Sequence, residues 1–348
     1  MLKKFKKVIA LGICVMMVFA MVACGSDGDG DTGKANDNPP AEDLVIKLGH
    51  TESDNENSMH NTACVKFAEL VEEYSEGRIT VEVHPNGELG GERDMIEGMQ
   101  IRTLDMASVA SMVVGNFDPS FAVFDLPYLF PDLETTYKVL DSDYVLNDMN
   151  ESLASKAKVR VLGYGIGGFR YIASNKKIES LEDVKGMKIR VPENSVYVDS
   201  YNALGAVTTT MAIGEVITGL QQGTVDGFEM CMTPLYTNGF YDLLDHIALT
   251  GVNCSVNPLI ISEELFQSLS TEDQEILKKA AQEAAAYERE IIGAYIEEVQ
   301  PLLEKEGVSL DEIKDIDAFK KATEGVIDKH RDEIGSETID AIMNLINE

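Results

Sequence analysis

The chain has 348 residues, 44% of them hydrophobic, with 60 acidic against 29 basic side chains and a formal net charge of −31 at pH 7. So large an acidic excess excludes nucleic acid and anionic lipid surfaces as partners, but not a small anion in a closed pocket, because charges beyond a Debye length of about 8 Å are screened. Five cysteines are too few and too scattered for a disulfide framework.

The N-terminus reads "MLKKFKKVIALGICVMMVFAMVAC": four lysines, an apolar run from Val8 to Met21, then small residues before Cys24. That run is too short and too asymmetrically flanked to span a bilayer and predicts a secretory signal peptide over residues 1–23. Its end resembles a bacterial lipobox, with Val22, Ala23 and Cys24 in place and Met21 where leucine is usual, which implies diacylglycerol on Cys24. Losing the leader's lysines takes the net charge to −35. Residues 24–43, "CGSDGDGDTGKANDNPPAED", hold almost nothing that builds a core and predict a flexible tether. The expected location is extracytoplasmic, with the membrane reached only through the lipid.

The folded part starts with "LVIKLG" (44–49), a buried strand, and the polar loop "HTESDNENS". Met59, Ala63, Phe67, Leu70, Val71 and Tyr74 then recur at helical spacing up to Gly77; "RITVEV" alternates as a strand; a helix is expected over Glu92–Gln100 and a strand over Leu104–Val109. Strand and helix in alternation predict an α/β architecture with parallel strands. In "VRVLGYGIGGFRYIASNKK" (159–177), Gly163, Gly165 and Gly168 have G-x-G-x-x-G spacing, yet β-branched and aromatic residues follow instead of the helix a dinucleotide site requires. The stretch predicts strand, glycine bend, strand. "GMQIRTLD" (98–105) and "GLQQGTVD" (219–226) echo one another, as two similar lobes would. From Ser270 a capped run rich in Ala, Leu, Glu and Lys predicts a long helix, bent near Pro301; at about 30 residues and about 45 Å it is long enough to brace two lobes.

The five histidines lack metal spacing, and no H-E-x-x-H, C-x-x-C, Walker or G-x-S-x-G motif occurs, so no metal, cofactor or catalytic residue is expected. Among Cys64, Cys231 and Cys254, free buried thiols are favoured over a Cys231–Cys254 bridge. What stands out is arginine in strand-like apolar settings: Arg170 in "GGFRYIAS" and Arg190 in "KGMKIRVPEN". Arg190 sits just before Pro192 ends its strand, at the edge where open α/β sheets bind ligands, and a guanidinium grips a carboxylate with two parallel hydrogen bonds.

Nearly the whole folded part resembles the solute-binding proteins of tripartite ATP-independent periplasmic (TRAP) transporters, of the C4-dicarboxylate-binding (DctP) type. The resemblance is carried by "GRITVEVHPNGELGGERDMIEG", "FDPSFAVFDLPYLFPD", "GGFRYIASNKKIESLEDVKGMKIRVPEN" and "ALGAVTTTMAIGEVITGLQQGTVDGFEM", in that order. It implies a periplasmic-binding-protein-like fold of class II type, two α/β lobes with hinge-crossing strands and a long bracing helix, with lobe I at 44–167 plus about 256–295 and lobe II at 168–255 plus about 296–348. Arg190 is implied as the main salt bridge to a solute carboxylate, with Arg170 in support. The loop after the first strand nominates His50, Thr51 and Glu52, and Phe169 is a candidate to pack on the ligand. This chain has Met230 where sialic-acid binders carry a polar group, Val252 where many members have histidine, and Arg102 for the usual glycine. Glu52, Glu229 and Asn253 are candidates to read the hydroxyls of a hydroxylated or sugar acid. The implied function is capture of a small organic acid and its delivery to small and large TRAP membrane subunits; an extracellular lipoprotein enzyme acting on acidic sugars and a sensory binding subunit are the alternatives.

Overall fold

The computed structural model describes residues 43–348, so the signal peptide, Cys24 and the tether up to residue 42 lie outside the described residues. The described chain belongs to one compact unit. It opens with β1 (Leu44–Gly49), α1 (Met59–Tyr74), β2 (Ile79–His84), α2 (Glu92–Gln100) and β3 (Met106–Ser108). The middle supplies β4 (Val159–Phe169), β5 (Tyr171–Ser174), β6 (Lys188–Val191), β7 (Val207–Thr210) and β8 (Gly227–Met230), and then come β9 (His246–Ala248), β10 (Cys254–Ser262) and β11 (Ser309–Asp311). The strands form two sheets, β2-β1-β3-β10-β4 and β11-β9-β5-β8-β6-β7. Each is the core of one α/β lobe. In both, three consecutive strands pair in parallel in the order second, first, third (β2-β1-β3 and β7-β6-β8), and an antiparallel strand, β10 or β5, closes the third.

The sequence echo is this symmetry in miniature. The Thr103 amide donates to the Gly98 carbonyl (2.9 Å) and the Thr224 amide to the Gly219 carbonyl (2.9 Å). The Asp105 carboxylate accepts the amide of Lys47 in β1 (3.0 Å), and that of Asp226 accepts the amide of Lys188 in β6 (3.0 Å). One residue on from each, the registers coincide: Leu48 opposite Met106, Ile189 opposite Gly227. At the turn itself Gly223 (φ +67°) and Arg102 (φ +63°) share the left-handed conformation, which glycine adopts without strain and arginine does not.

The expected strand, bend, strand forms: β4 runs through Gly163, Gly165 and Gly167 and gives way to β5 just after Gly168 (φ +84°). Its ladder to β10 slips twice, where Ser255 faces Gly168 but Val256 faces Ile166, leaving Gly167 over, and where Leu259 faces Gly163 but Ile260 faces Val161, leaving Leu162 over. The glycines are there for close approach: a Cβ on Gly163 would lie 2.7 Å from the Ala281 carbonyl oxygen of the helix beneath. The chain leaves the first sheet at Phe169 and enters the second at Tyr171, returning between β9 and β10; the two crossings are joined by the Arg170 amide donating to the Asn253 carbonyl (2.9 Å).

The bracing helix runs from Thr271 to Lys305, its start capped by the Ser270 hydroxyl on the Asp273 amide (3.1 Å). Leu277, Ala280, Ala281 and Ala284 pack with Phe67 and Leu70 of α1 under the first sheet, and Tyr295, Val299 and Leu303 pack with Phe228 of the second. Pro301 falls inside the helix, which continues past it to Lys305. The expected placement of 296–348 with lobe II holds only in part for the C-terminal helices. Helix Ile316–Ile334 straddles the lobes: Phe319 is buried with Ile189 and Tyr197 of the second, while Val326 and Ile334, together with Ile339 and Ile342 of helix Ser336–Asn347, are buried with Phe121, Phe124 and Leu140 of the first. Cys64, Cys231 and Cys254 are free and buried.

Candidate functional site

Parallel strands end on one side of each sheet, and a cavity of about 620 Å³ lies there. Thr51 and Glu52 follow β1, Ala110 and Met112 follow β3, Pro192 follows β6, Met211 follows β7 and Met230 ends β8, and all of these line it.

Arg170 and Arg190 both reach the cavity and both are nearly buried. Arg170, at the crossing between sheets, is fully occupied. Its Nε and Nη2 donate to the Glu229 carboxylate, Nη2 also to the Glu229 carbonyl (3.3 Å), and Nη1 to the Ser255 hydroxyl (3.4 Å). Burial opposes its charge, but the Glu229 carboxylate holds its pKa well above the ordinary value. Arg190, one residue from the end of β6, instead directs Nε and Nη2 to the uncharged Met211 carbonyl (2.9 and 2.7 Å), and its Nη1 lies 3.7 Å from Glu229. Burial therefore lowers its pKa to about 10, which leaves it charged at neutral pH. Two guanidinium groups share one carboxylate, so this corner is a positive site screened from water.

The first lobe supplies the opposite chemistry. Glu52 accepts from the Ser58 hydroxyl (2.5 Å) and the His60 amide (3.3 Å), and burial raises its pKa. Glu92, at the start of α2, accepts the Ala110 amide (3.2 Å); burial raises its pKa to about 7. His60 pairs with the Ser108 hydroxyl (2.7 Å), and burial lowers its pKa to about 4, so it is neutral. Asn116 bridges the lobes by donating to the Glu193 carbonyl (2.9 Å). Among the described residues no His, Cys, Asp and Glu group is arranged to hold a metal, and no helix is long and apolar enough to cross a membrane.

The model of bacterial extracellular solute-binding protein family 7 (DctP) matches residues 48–333. The chain belongs to this family. A solute-binding protein of Roseobacter denitrificans is 34% identical over 287 residues, covering 82% of this chain and 87% of the relative. The structure of a TRAP periplasmic solute-binding protein from that organism, with bound L-galactonate, matches with a TM-score of 0.80 at 32% identity, covering 87% of this chain and 99% of that one. TRAP proteins from Polaromonas, bound to D-erythronate, and from Bordetella, with density assigned to pantoate, both match at a TM-score of 0.82, with 32% and 30% identity and coverage of 86% and 98%, and 87% and 99%. This chain is thus a TRAP solute-binding protein of the extracytoplasmic DctP family, with the two-lobed fold, and not an enzyme.

For this family 7 protein, Thr51, Glu52, Arg170, Arg190 and Met230 of the expected site line the cavity, and His50, Phe169, Glu229 and Asn253 do not. His50 is fully buried, bonded through Nε2 to Asn61 (3.1 Å), with its pKa lowered to about 4 by burial. Phe169 packs against the first lobe's apolar cluster of Phe121, Phe124 and Leu140. Glu229 is fully buried with its carboxylate turned to the arginines, so it sets their charge instead of reading hydroxyls. Asn253 donates to the Asp125 carbonyl (2.7 Å) and fastens the crossing. Sequence reasoning passed over Glu92, His60 and Asn116. Glu92 carried a usable signal, as an acid in the first turn of a helix that begins at the ligand edge of a sheet.

Proposed function

We propose that this TRAP solute-binding protein captures a small hydroxylated monocarboxylate of the sugar-acid class, with Arg190 gripping the carboxylate and Arg170 behind it. It then hands the solute unchanged to the small and large TRAP membrane subunits, while tethered by lipid on Cys24. The observation that carries this reading is the state of Arg190: a buried, charged guanidinium on the cavity wall whose two hydrogen-bonding nitrogens meet a neutral carbonyl. A carboxylate entering the cavity is the partner that its charge lacks, and desolvation between the lobes strengthens the pair. Glu52, Glu92, His60 and Asn116 offer hydroxyl partners across the cavity. The L-galactonate and D-erythronate held by two similar proteins belong to the same chemical class.

Thermal-shift screening of organic acids followed by calorimetry tests this, since a ligand of the native state raises apparent stability by mass action. L-galactonate or a related hydroxy acid is expected to raise the melting temperature and to be recovered chemically unchanged. A screen in which only acids without hydroxyls bind, or in which the ligand is turned over, rejects the reading. For the anchor, mass spectrometry of the membrane fraction should find a lipid-modified Cys24 at the N-terminus.

A further inference from the structure

Four methionines, Met59, Met112, Met211 and Met230, line the cavity. The carboxylate grip uses only one atom among them, the Met211 carbonyl oxygen that holds Arg190. Met59, Met112 and Met230 are buried and come from three separate places: the start of α1, the segment after β3 and the end of β8. The Met59 sulfur occupies the space that the crossing leaves open at Gly167, where a Cβ would come within 2.4 Å of it. Met230 belongs to the apolar cluster of the second lobe, together with Phe228.

Thioethers donate no hydrogen bond and accept only weakly, while they fill irregular apolar space well. A ligand hydroxyl set against such a surface gives up its bonds to water without replacement, whereas a methyl group placed there is simply removed from water. Along a polyhydroxy chain, then, a hydroxyl that reaches Glu52, His60 or Glu92 finds a partner, and one that lies against the methionines meets sulfur and carbon. Building on the reading of Arg190 as the carboxylate grip, we infer that this methionine wall selects hydroxy monocarboxylates that carry a hydrocarbon branch over those hydroxylated at every carbon. Met230, buried at the end of β8 and on the cavity wall, is the residue on which this selectivity turns.

D-pantoate and D-erythronate make a matched pair: the same four-carbon hydroxy acid, with two methyl groups on the third carbon of one where the other has a hydroxyl. Calorimetry on the full chain is expected to give pantoate the tighter binding by about tenfold or more. Met230→Gln, checked for folding by its thermal melt, should bring the two within about threefold, chiefly by weakening pantoate; Met59→Gln serves the same purpose should the first variant not fold. Equal or tighter binding of erythronate by the unmodified protein, an unchanged ratio in the folded variant, or no binding of either acid overturns the inference. The grip is tested apart from the wall by Arg190→Ala: loss of L-galactonate or erythronate binding in that variant leaves the grip standing even where the pantoate preference fails.

Discussion

The two lobes share a frame and differ in what they mount on it. Gly49 in β1 and Arg190 in β6 hold equivalent positions, opposite Ala107 and Phe228 in their neighbouring strands. One residue further along those neighbours stand Ser108 and Glu229. At the same two places, then, the first lobe has a glycine, with Met95 and Leu89 filling the space a side chain would take, and a serine bonded to His60. The second has an arginine and the carboxylate that steadies it. Pairing, register and the aspartate brace are common to both; the charge at the ligand edge is not. The frame thus positions whatever side chain occupies these sites, and the chemistry follows from the residue placed there.

The largest effect should come from breaking the second lobe's charge cluster. Arg170→Ala leaves the buried Glu229 with only the longer Arg190 contact, and chemical denaturation should show a loss of about 3–5 kcal/mol; a loss under 1 kcal/mol would mean that Glu229 finds another partner. Arg190→Ala removes the group with no counterpart in the first lobe and should cost roughly 2–5 kcal/mol of solute binding by calorimetry. Arg190→Lys should be nearly as harmful, because an ammonium cannot reproduce the planar grip.

Glu92 sharpens the contrast through pH. Its pKa is raised from the ordinary 4.5 to about 7, so its contribution to stability is fully present below 4.5 and is lost as pH rises through 7. Glu92→Gln should be close to neutral at pH 4.5 and more stable than the unmodified protein by on the order of 1–2 kcal/mol at pH 8; parallel stability curves for the two proteins would refute the shift. The shared brace predicts equality: Asp105→Ala and Asp226→Ala should each cost about 1 kcal/mol, and a severalfold disparity between them would show that the lobes are alike in outline only. Smallest, Arg102→Gly should raise stability by up to about 1 kcal/mol by relieving a left-handed residue where the second lobe already has glycine.

Much of the architecture was legible because it is local. "LVIKLG" and Glu92–Gln100 carry their own period, caps and breakers, and the structure ends those elements at the residues expected. The repeated "TLD" and "TVD" turns were readable as an echo, although only the fold shows that both aspartates cap a neighbouring strand's amide. Sequence logic failed where a side chain's partner lies far along the chain. Glu229 looked like a hydroxyl reader at a strand end, yet Arg170, 59 residues earlier, claims it. His50 and Asn253 sit beside the cavity in sequence and behind its wall in space. Glu92 was legible as an acid in a helix's first turn at the ligand edge, whereas His60, also in a first turn, gains meaning only once the fold sets it on the cavity wall.

What the sequence determined by itself is the alternating α/β pattern, the long capped helix and the strand-end arginines, all set by periodicity and chemistry within a few residues. The tertiary structure alone decided which arginine is left with only the longer contact to a carboxylate. That outcome depends on Met211 meeting Arg190 with a neutral carbonyl and on Glu229 turning its carboxylate to Arg170, and in a buried corner such pairings govern charge far more strongly than the identity of either residue alone.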